Sequence, residues 1–180
     1  MMQAYQTVRA LQQRVGLTAV YVTHDQIEAL AISDVVAVMR AGRLVEFGSP
    51  DKIYDWPKSR FAAEFIGAGN VVPVQDIRSV NGKTRGRVSW GEIYFVHDGQ
   101  TLPNALVIRP EDIQVASHSM KDNVWPAKVE QVIFLGAIYD CRLALGEITL
   151  RAQFPRSASV QVGQPLYIHI AERRCVPIED

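Results

Sequence analysis

The chain has 180 residues, of which 48% are hydrophobic, enough for one large or two small globular domains with a real core. Nineteen basic residues balance nineteen acidic ones, so no strong field recruits nucleic acid or an anionic membrane surface. No apolar run approaches the roughly 20 residues of a transmembrane helix, and Met1 to Thr7 lacks the basic start and apolar stretch of a leader peptide. Cys141 and Cys175 are too few and too far apart for a disulfide framework or a four-ligand zinc site. The expected setting is cytoplasmic, with reduced thiols and no direct membrane insertion.

Met2 to Val15 places Ala4, Val8, Leu11 and Val15 at helical spacing, and Gly16 ends that helix. Ala19, Val20, Tyr21 and Val22 form a compact apolar run of strand formers, which predicts a buried strand over Thr18 to Thr23, covered on both faces as in a parallel sheet. Thr23 and His24 then fall at its carboxyl end, where ligands bind in open α/β sheets. Asp25 caps a short helix carrying Ile27, Leu30 and Ala31, and Asp34 opens a second strand, Val35 to Met39. Ala41-Gly42-Arg43 turns the chain back into Leu44 to Phe47 as a hairpin. Ser49-Pro50 is a helix start, with Ile53 and Tyr54 on the apolar side. A further helix runs from Ser59 to Ile66.

Gly67-Ala68-Gly69-Asn70 breaks the pattern, and short strands separated by turns follow. The expected domains are therefore residues 1–69 and 70–180, the second all-β. Its predicted strands are Val71 to Ile77, Arg85 to Trp90, Ile93 to Val96, Ala105 to Ile108, Val124 to Phe134, Ile138 to Leu145, Ile148 to Phe154, Leu166 to Ile170 and Cys175 to Ile178. Asn81-Gly82 marks a hairpin between the first two. Regular strands of this kind predict a small barrel or sandwich.

Thr23-His24-Asp25-Gln26, an intervening residue, then Glu28-Ala29 resembles the switch segment of the ATP-binding subunits of bacterial ABC importers. The resemblance implies that His24 contacts the terminal phosphate of ATP, with Gln26 and Glu28 supporting the segment. An imidazole bonded to a γ-phosphate can sense its departure and help orient the attacking water. The Gly42-Arg43 hairpin, Ser49-Pro50, Ile53-Tyr54 and Phe65-Ile66-Gly67 with Asn70 match that family in order. Arg109-Pro110-Glu111-Asp112-Ile113, and Val132 to Gly136 with Tyr139, resemble the TOBE domain that follows the ATPase domain in importers of iron(III), polyamines or sugars. Arg109 and Glu111 are its candidate pocket or interface residues. The implied fold is an α/β remnant of an ABC nucleotide-binding domain followed by an OB-like small barrel.

The family's ATP and magnesium need a phosphate-cradling loop, a serine-glycine-glycine signature and an apolar strand ending in Asp-Glu. The sequence contains none of these. Gly82-Lys83-Thr84 imitates only the end of a phosphate loop, and Ile77 stands where the first glycine belongs. Met1 falls just after the place those elements occupy in the family, so the reading is a C-terminal part of an importer ATPase subunit that neither hydrolyses ATP nor binds it tightly alone. The resemblance implies membrane permease subunits as partners and a homodimer. An alternative is a stand-alone oxyanion-binding module, for which Arg85, Arg87, Arg109 and Arg151 are the candidate ligands. A nucleic-acid-binding barrel is disfavoured, since Glu92 lies among the aromatic residues Trp90, Tyr94 and Phe95.

Overall fold

The computed structural model describes residues 2–67, 69–80, 82–116 and 122–179, with side chains from Thr7 onward. The chain forms two compact units, one ending at Gly67 and the other following it.

In the first unit α1 spans Met2–Val15, and Gly16 stops it with φ +66. Val8, Leu11 and Val15 are all more than half exposed, so the stripe expected to face a core is open along these residues. What anchors α1 is polar. Arg9 forks onto Asp34, with Nη1 donating to Oδ2 at 2.8 Å, and it also donates at 3.1 Å to the carbonyl of Ile32, the last residue of α2 (Gln26–Ile32). The Arg9 guanidinium holds the Asp34 carboxyl below its ordinary range.

The strand expected over Thr18 to Thr23 is not formed. These residues adopt neither helix nor strand, and Val20 and Val22 are 93% and 90% exposed. A strand exists only where a neighbour completes its ladder, and among the described residues none lies alongside. The α/β expectation is corrected with it. The first unit's described strands are β1 (Val36–Arg40) and β2 (Arg43–Gly48), an antiparallel hairpin with no parallel sheet. Its turn residues Ala41 and Gly42 have φ 49 and 76, the doubly positive pair a tight hairpin requires.

Two short helices pack beside the hairpin: α3 (Pro50–Asp55), entered through Ser49 and a first-turn proline, and α4 (Arg60–Phe65), capped by Ser59. Val36, Val38, Ile53 and Ile66 form the buried centre, joined by Leu30, Tyr54 and Phe61. The buried Glu46 carboxylate accepts from the Lys58 N–H at 3.1 Å, just before α4. It thereby satisfies the backbone donor of the residue that leads into the Ser59 cap, and Ser59 Oγ in turn accepts from the Ala62 N–H at 3.2 Å.

The second unit is built of β3 (Asn70–Pro73), β4 (Gln75–Val80), β5 (Lys83–Val88), β6 (Gly91–Phe95), β7 (Ala105–Ile108), β8 (Ile113–Val115), β9 (Val124–Phe134), β10 (Ile138–Leu145), β11 (Ile148–Pro155), β12 (Pro165–Ile170) and β13 (Cys175–Ile178). The single strand expected from Val71 to Ile77 is two strands, because the chain changes sheets at Val74; Asp76, with φ 50, marks an irregularity within the second of them. A five-stranded sheet runs β11-β10-β9-β12-β8, and two three-stranded sheets run β13-β7-β3 and β4-β5-β6. All pairings are antiparallel. Val80 pairs with Lys83, and Gly82 has φ +78; Asn81 of the expected hairpin signal lies outside the described residues.

The large sheet curls around one core. Inward positions alternate along each strand, as with Leu150, Ala152 and Phe154 on β11 or Leu166, Ile168 and Ile170 on β12, the period-2 pattern of a half-buried sheet. Three single 3-10 turns at Pro110–Asp112, Arg156–Ala158 and Glu172–Arg174 are the described helical pieces after Phe65. Both thiols are buried. Burial raises Cys141, and burial with Asp112 and Glu172 nearby pushes Cys175 up to about 12, so neither is poised as a nucleophile.

Candidate functional site

His24 sits in an exposed bend between residue 23 and the start of α2. Its neighbours on both sides are tied to one residue, Glu28, Thr23 through the carboxylate and Asp25 through the backbone N–H. Thr23 Oγ1 donates to Glu28 Oε2 at 2.7 Å, and the Glu28 N–H donates to Asp25 Oδ1 at 3.1 Å. The Asp25 N–H in turn donates to Thr23 Oγ1 at 2.9 Å, which closes a ring of three bonds around His24. Tyr21 adds its hydroxyl to Glu28 Oε1 at 2.9 Å. Residues 23 and 25 are thus fixed, and His24 between them is exposed. Gln26 does not join this ring; its Oε1 accepts from the Gly67 N–H at 3.1 Å. The sequence pattern picked out His24, Gln26 and Glu28, but it missed Tyr21, which read as part of a buried strand.

In the second unit Arg109 is 3% exposed and Glu111 lies on the surface of the 3-10 turn. Three of the four arginines proposed to share an anion are paired with carboxylates instead. Arg85 pairs with Glu92 at 3.0 Å, Arg87 with Asp76, and Arg151 with Asp140 at 2.8 Å. Each guanidinium directs donors to its own carboxylate, which leaves little net charge to attract an oxyanion. Lys83 likewise lies between Asp122 at 3.0 Å and Glu172 at 2.5 Å, far from the setting of a phosphate loop.

Two asparagines close the curled unit; in the sequence Asn70 stands out only as a family match, with no structural role, and Asn123 is not singled out. Asn70 Nδ2 donates to the Ile108 carbonyl at 3.0 Å and the Arg151 carbonyl at 2.9 Å, while its Oδ1 accepts from the Arg151 N–H at 2.8 Å. One side chain therefore joins β3 and β7 to the free edge of β11. Asn123 does the same for β6, accepting from the Tyr94 N–H and donating to its carbonyl, both at 2.7 Å. Beside Asn70, a cleft of about 260 Å³ is lined by β3, Ser89 and residues 148–150.

Residues 106–178 match the family model described as the TOBE domain. Over these residues the chain is similar to a TOBE domain. The match begins at the second residue of β7 and takes in all of β8 to β13, including Arg109, Glu111 and Asn123. Two relatives are ATP-binding proteins of bacterial importers. The Fe(3+) ions import ATP-binding protein FbpC of Brucella abortus is 47% identical over 108 residues, covering 59% of this chain and 30% of the relative. The spermidine/putrescine import ATP-binding protein PotA of Chromobacterium violaceum is 38% identical over 146 residues, 78% of this chain and 38% of the relative. The resemblance to importer ATP-binding subunits with a TOBE domain is shown, and the chain spans about a third of the length of these relatives. The solved structure of the cytoplasmic molybdate-binding protein ModG, in a form with molybdate bound, covers 60% of this chain and 96% of its own at 12% identity and TM-score 0.47. That likeness is too low to carry an argument about fold or ligand.

Proposed function

We propose that this chain is the C-terminal part of a cytoplasmic ABC importer ATP-binding subunit, residues 1–69 closing the ATPase domain and residues 70–180 forming an OB-like TOBE domain. His24 is its γ-phosphate contact, Gln26 and Glu28 its supports, and Arg109 and Glu111 belong to the TOBE pocket or interface. The observation that carries the reading is the ring of bonds among Thr23, Asp25 and Glu28, which presents an exposed imidazole on a fixed bend. Such preorganisation is what phosphoryl transfer asks of a protein, since positioning and electrostatics supply most of the catalysis. In a complete ATPase, the extended residues 18–23 would gain the strand partners they lack here. Magnesium and the phosphates would be held by residues outside this sequence. Nucleotide binding, permease contact and peripheral membrane attachment are therefore activities of the longer assembly. Among the described residues no helix is long and apolar enough to cross a membrane.

The purified chain with ATP and magnesium should show no turnover. Grafted in place of the matching segment of the Brucella FbpC protein, it should restore ATP hydrolysis, and His24→Ala in that chimera should lower kcat about a hundredfold. A chimera that folds and hydrolyses ATP equally well with and without His24 would overturn the assignment. Turnover by the isolated chain near one per second, an ordinary enzyme rate, would overturn it as well.

Self-association is the second expectation. Val20, Val22, Ile27 and Phe47 are each at least two-thirds exposed in the first unit, an apolar surface that monomers rarely leave open. Light scattering at micromolar concentration should report a homodimer or larger species, and Val20→Lys should shift it toward monomer. A monomer across the whole range would remove this part of the proposal.

A further inference from the structure

Gly67 sits immediately after Ile66, the residue that ends α4, and has φ +77. A glycine in that position usually returns its N–H to a carbonyl of its own helix. Here the N–H is donated to the side chain of Gln26, 41 residues earlier, at 3.1 Å. Gln26 is the first residue of α2, and its backbone lies within the closed ring that connects Asp25 to Glu28 and so to Thr23. Any displacement of the His24 bend therefore displaces the base of the Gln26 side chain. On the other side, only residues 68 and 69 separate Gly67 from Asn70, whose amide is bonded to Ile108 and Arg151.

We propose that Gln26 is a positioning residue that couples the His24 bend to the backbone at Gly67, so that a change at the switch turn is passed to the point where the chain leaves the first unit. This rests on the reading of the His24 bend as a switch, and it gives Gln26 a role distinct from supporting that bend. The glycine matters for the same reason. A residue with a Cβ resists the left-handed backbone that points this N–H at the amide.

The test needs no nucleotide, so its failure is separate from failure of the ATPase reading. Amide exchange and chemical shifts of Gly67 are followed by NMR in the full chain, with Gly163 of the second unit, bonded to the Val129 carbonyl, as the internal reference. Gln26→Met keeps the shape and removes the acceptor; it should speed exchange at Gly67 about tenfold while Gly163 is unchanged. Gln26→Glu keeps an acceptor and should retain protection, with the Gly67 proton moved downfield. Glu28→Gln, which alters the ring around His24, should move the Gly67 resonance when Gln26 is present and leave it still when Gln26 is Met. Equal Gly67 exchange in Gln26→Met and the parent overturns the proposal. So does a Glu28→Gln shift at Gly67 of the same size in both backgrounds. Should Gln26→Met not fold, an unmoved Gly67 proton in Gln26→Glu overturns it alone.

Discussion

Asn123→Ala is expected to lower the unfolding free energy of the second unit by at least about 3 kcal/mol, since two 2.7 Å bonds to the Tyr94 backbone disappear together. Asn123 is 5% exposed, so water cannot fully replace its amide, and each orphaned backbone group costs about 1–3 kcal/mol. The backbone adds to the loss. At φ 52 asparagine is tolerated because its short polar side chain bonds locally, whereas alanine is disfavoured by about 1–2 kcal/mol. Asn123→Gly separates the two effects, since it keeps the left-handed backbone and loses only the amide. Trp90 and Trp125 report on this unit; their rings meet edge to face at 6.0 Å in its core. Urea unfolding followed by their fluorescence should place glycine between the parent and alanine. An alanine variant within about 0.5 kcal/mol of the parent, the scale of an ordinary surface change, would show that Asn123 does not hold β6 in place.

Local rules were enough where a segment closes on its own neighbours. The Ala41-Gly42 hairpin, the Ser59 cap of α4 and the alternating strands β9 to β12 depend on residues a few positions apart, or on a face shared along one strand. The run Ala19 to Val22 has the composition of a strand, yet composition supplies no ladder partner, and the segment stays extended and exposed. The same limit hid the asparagine closures. Asn70 reaches Arg151 across 81 residues, and nothing near Asn70 in sequence says that β11 has a free edge to satisfy. Asn123 offered a faint signal, since an Asp-Asn pair before a strand favours a left-handed turn. For the His24 bend the motif was legible because Thr23, Asp25 and Glu28 lie within six residues of one another, so a short stretch of sequence carries the whole pattern. The partner of Gln26 was not, being 41 residues away.

Gly86→Ala should destabilise the second unit by about 1–3 kcal/mol, for reasons of space alone. Gly86 is buried in β5 opposite Ile93 of β6. A Cβ there would come within 2.4 Å of Val74 Cγ2, 3.2 Å of Phe95 Cε1 and 3.4 Å of the Gln75 carbonyl oxygen. Val74 is 4% exposed and Phe95 1%, so neither has room to withdraw without moving the core around it. Alanine's smaller entropy in the unfolded chain offsets about 0.4–1 kcal/mol of the loss, which leaves a net cost. The cause can be isolated by removing the obstructing methyl. Val74→Ala alone opens a cavity and should also destabilise, but in combination with Gly86→Ala the new methyl fills part of the space. The double variant should then be more stable than the sum of the two single effects predicts, by about 1 kcal/mol, a coupling expected only for residues in contact. Strict additivity in urea unfolding would mean that the strand shifts to admit the methyl, and that the close approach of β5 to Val74 does not set the curl of the sheet.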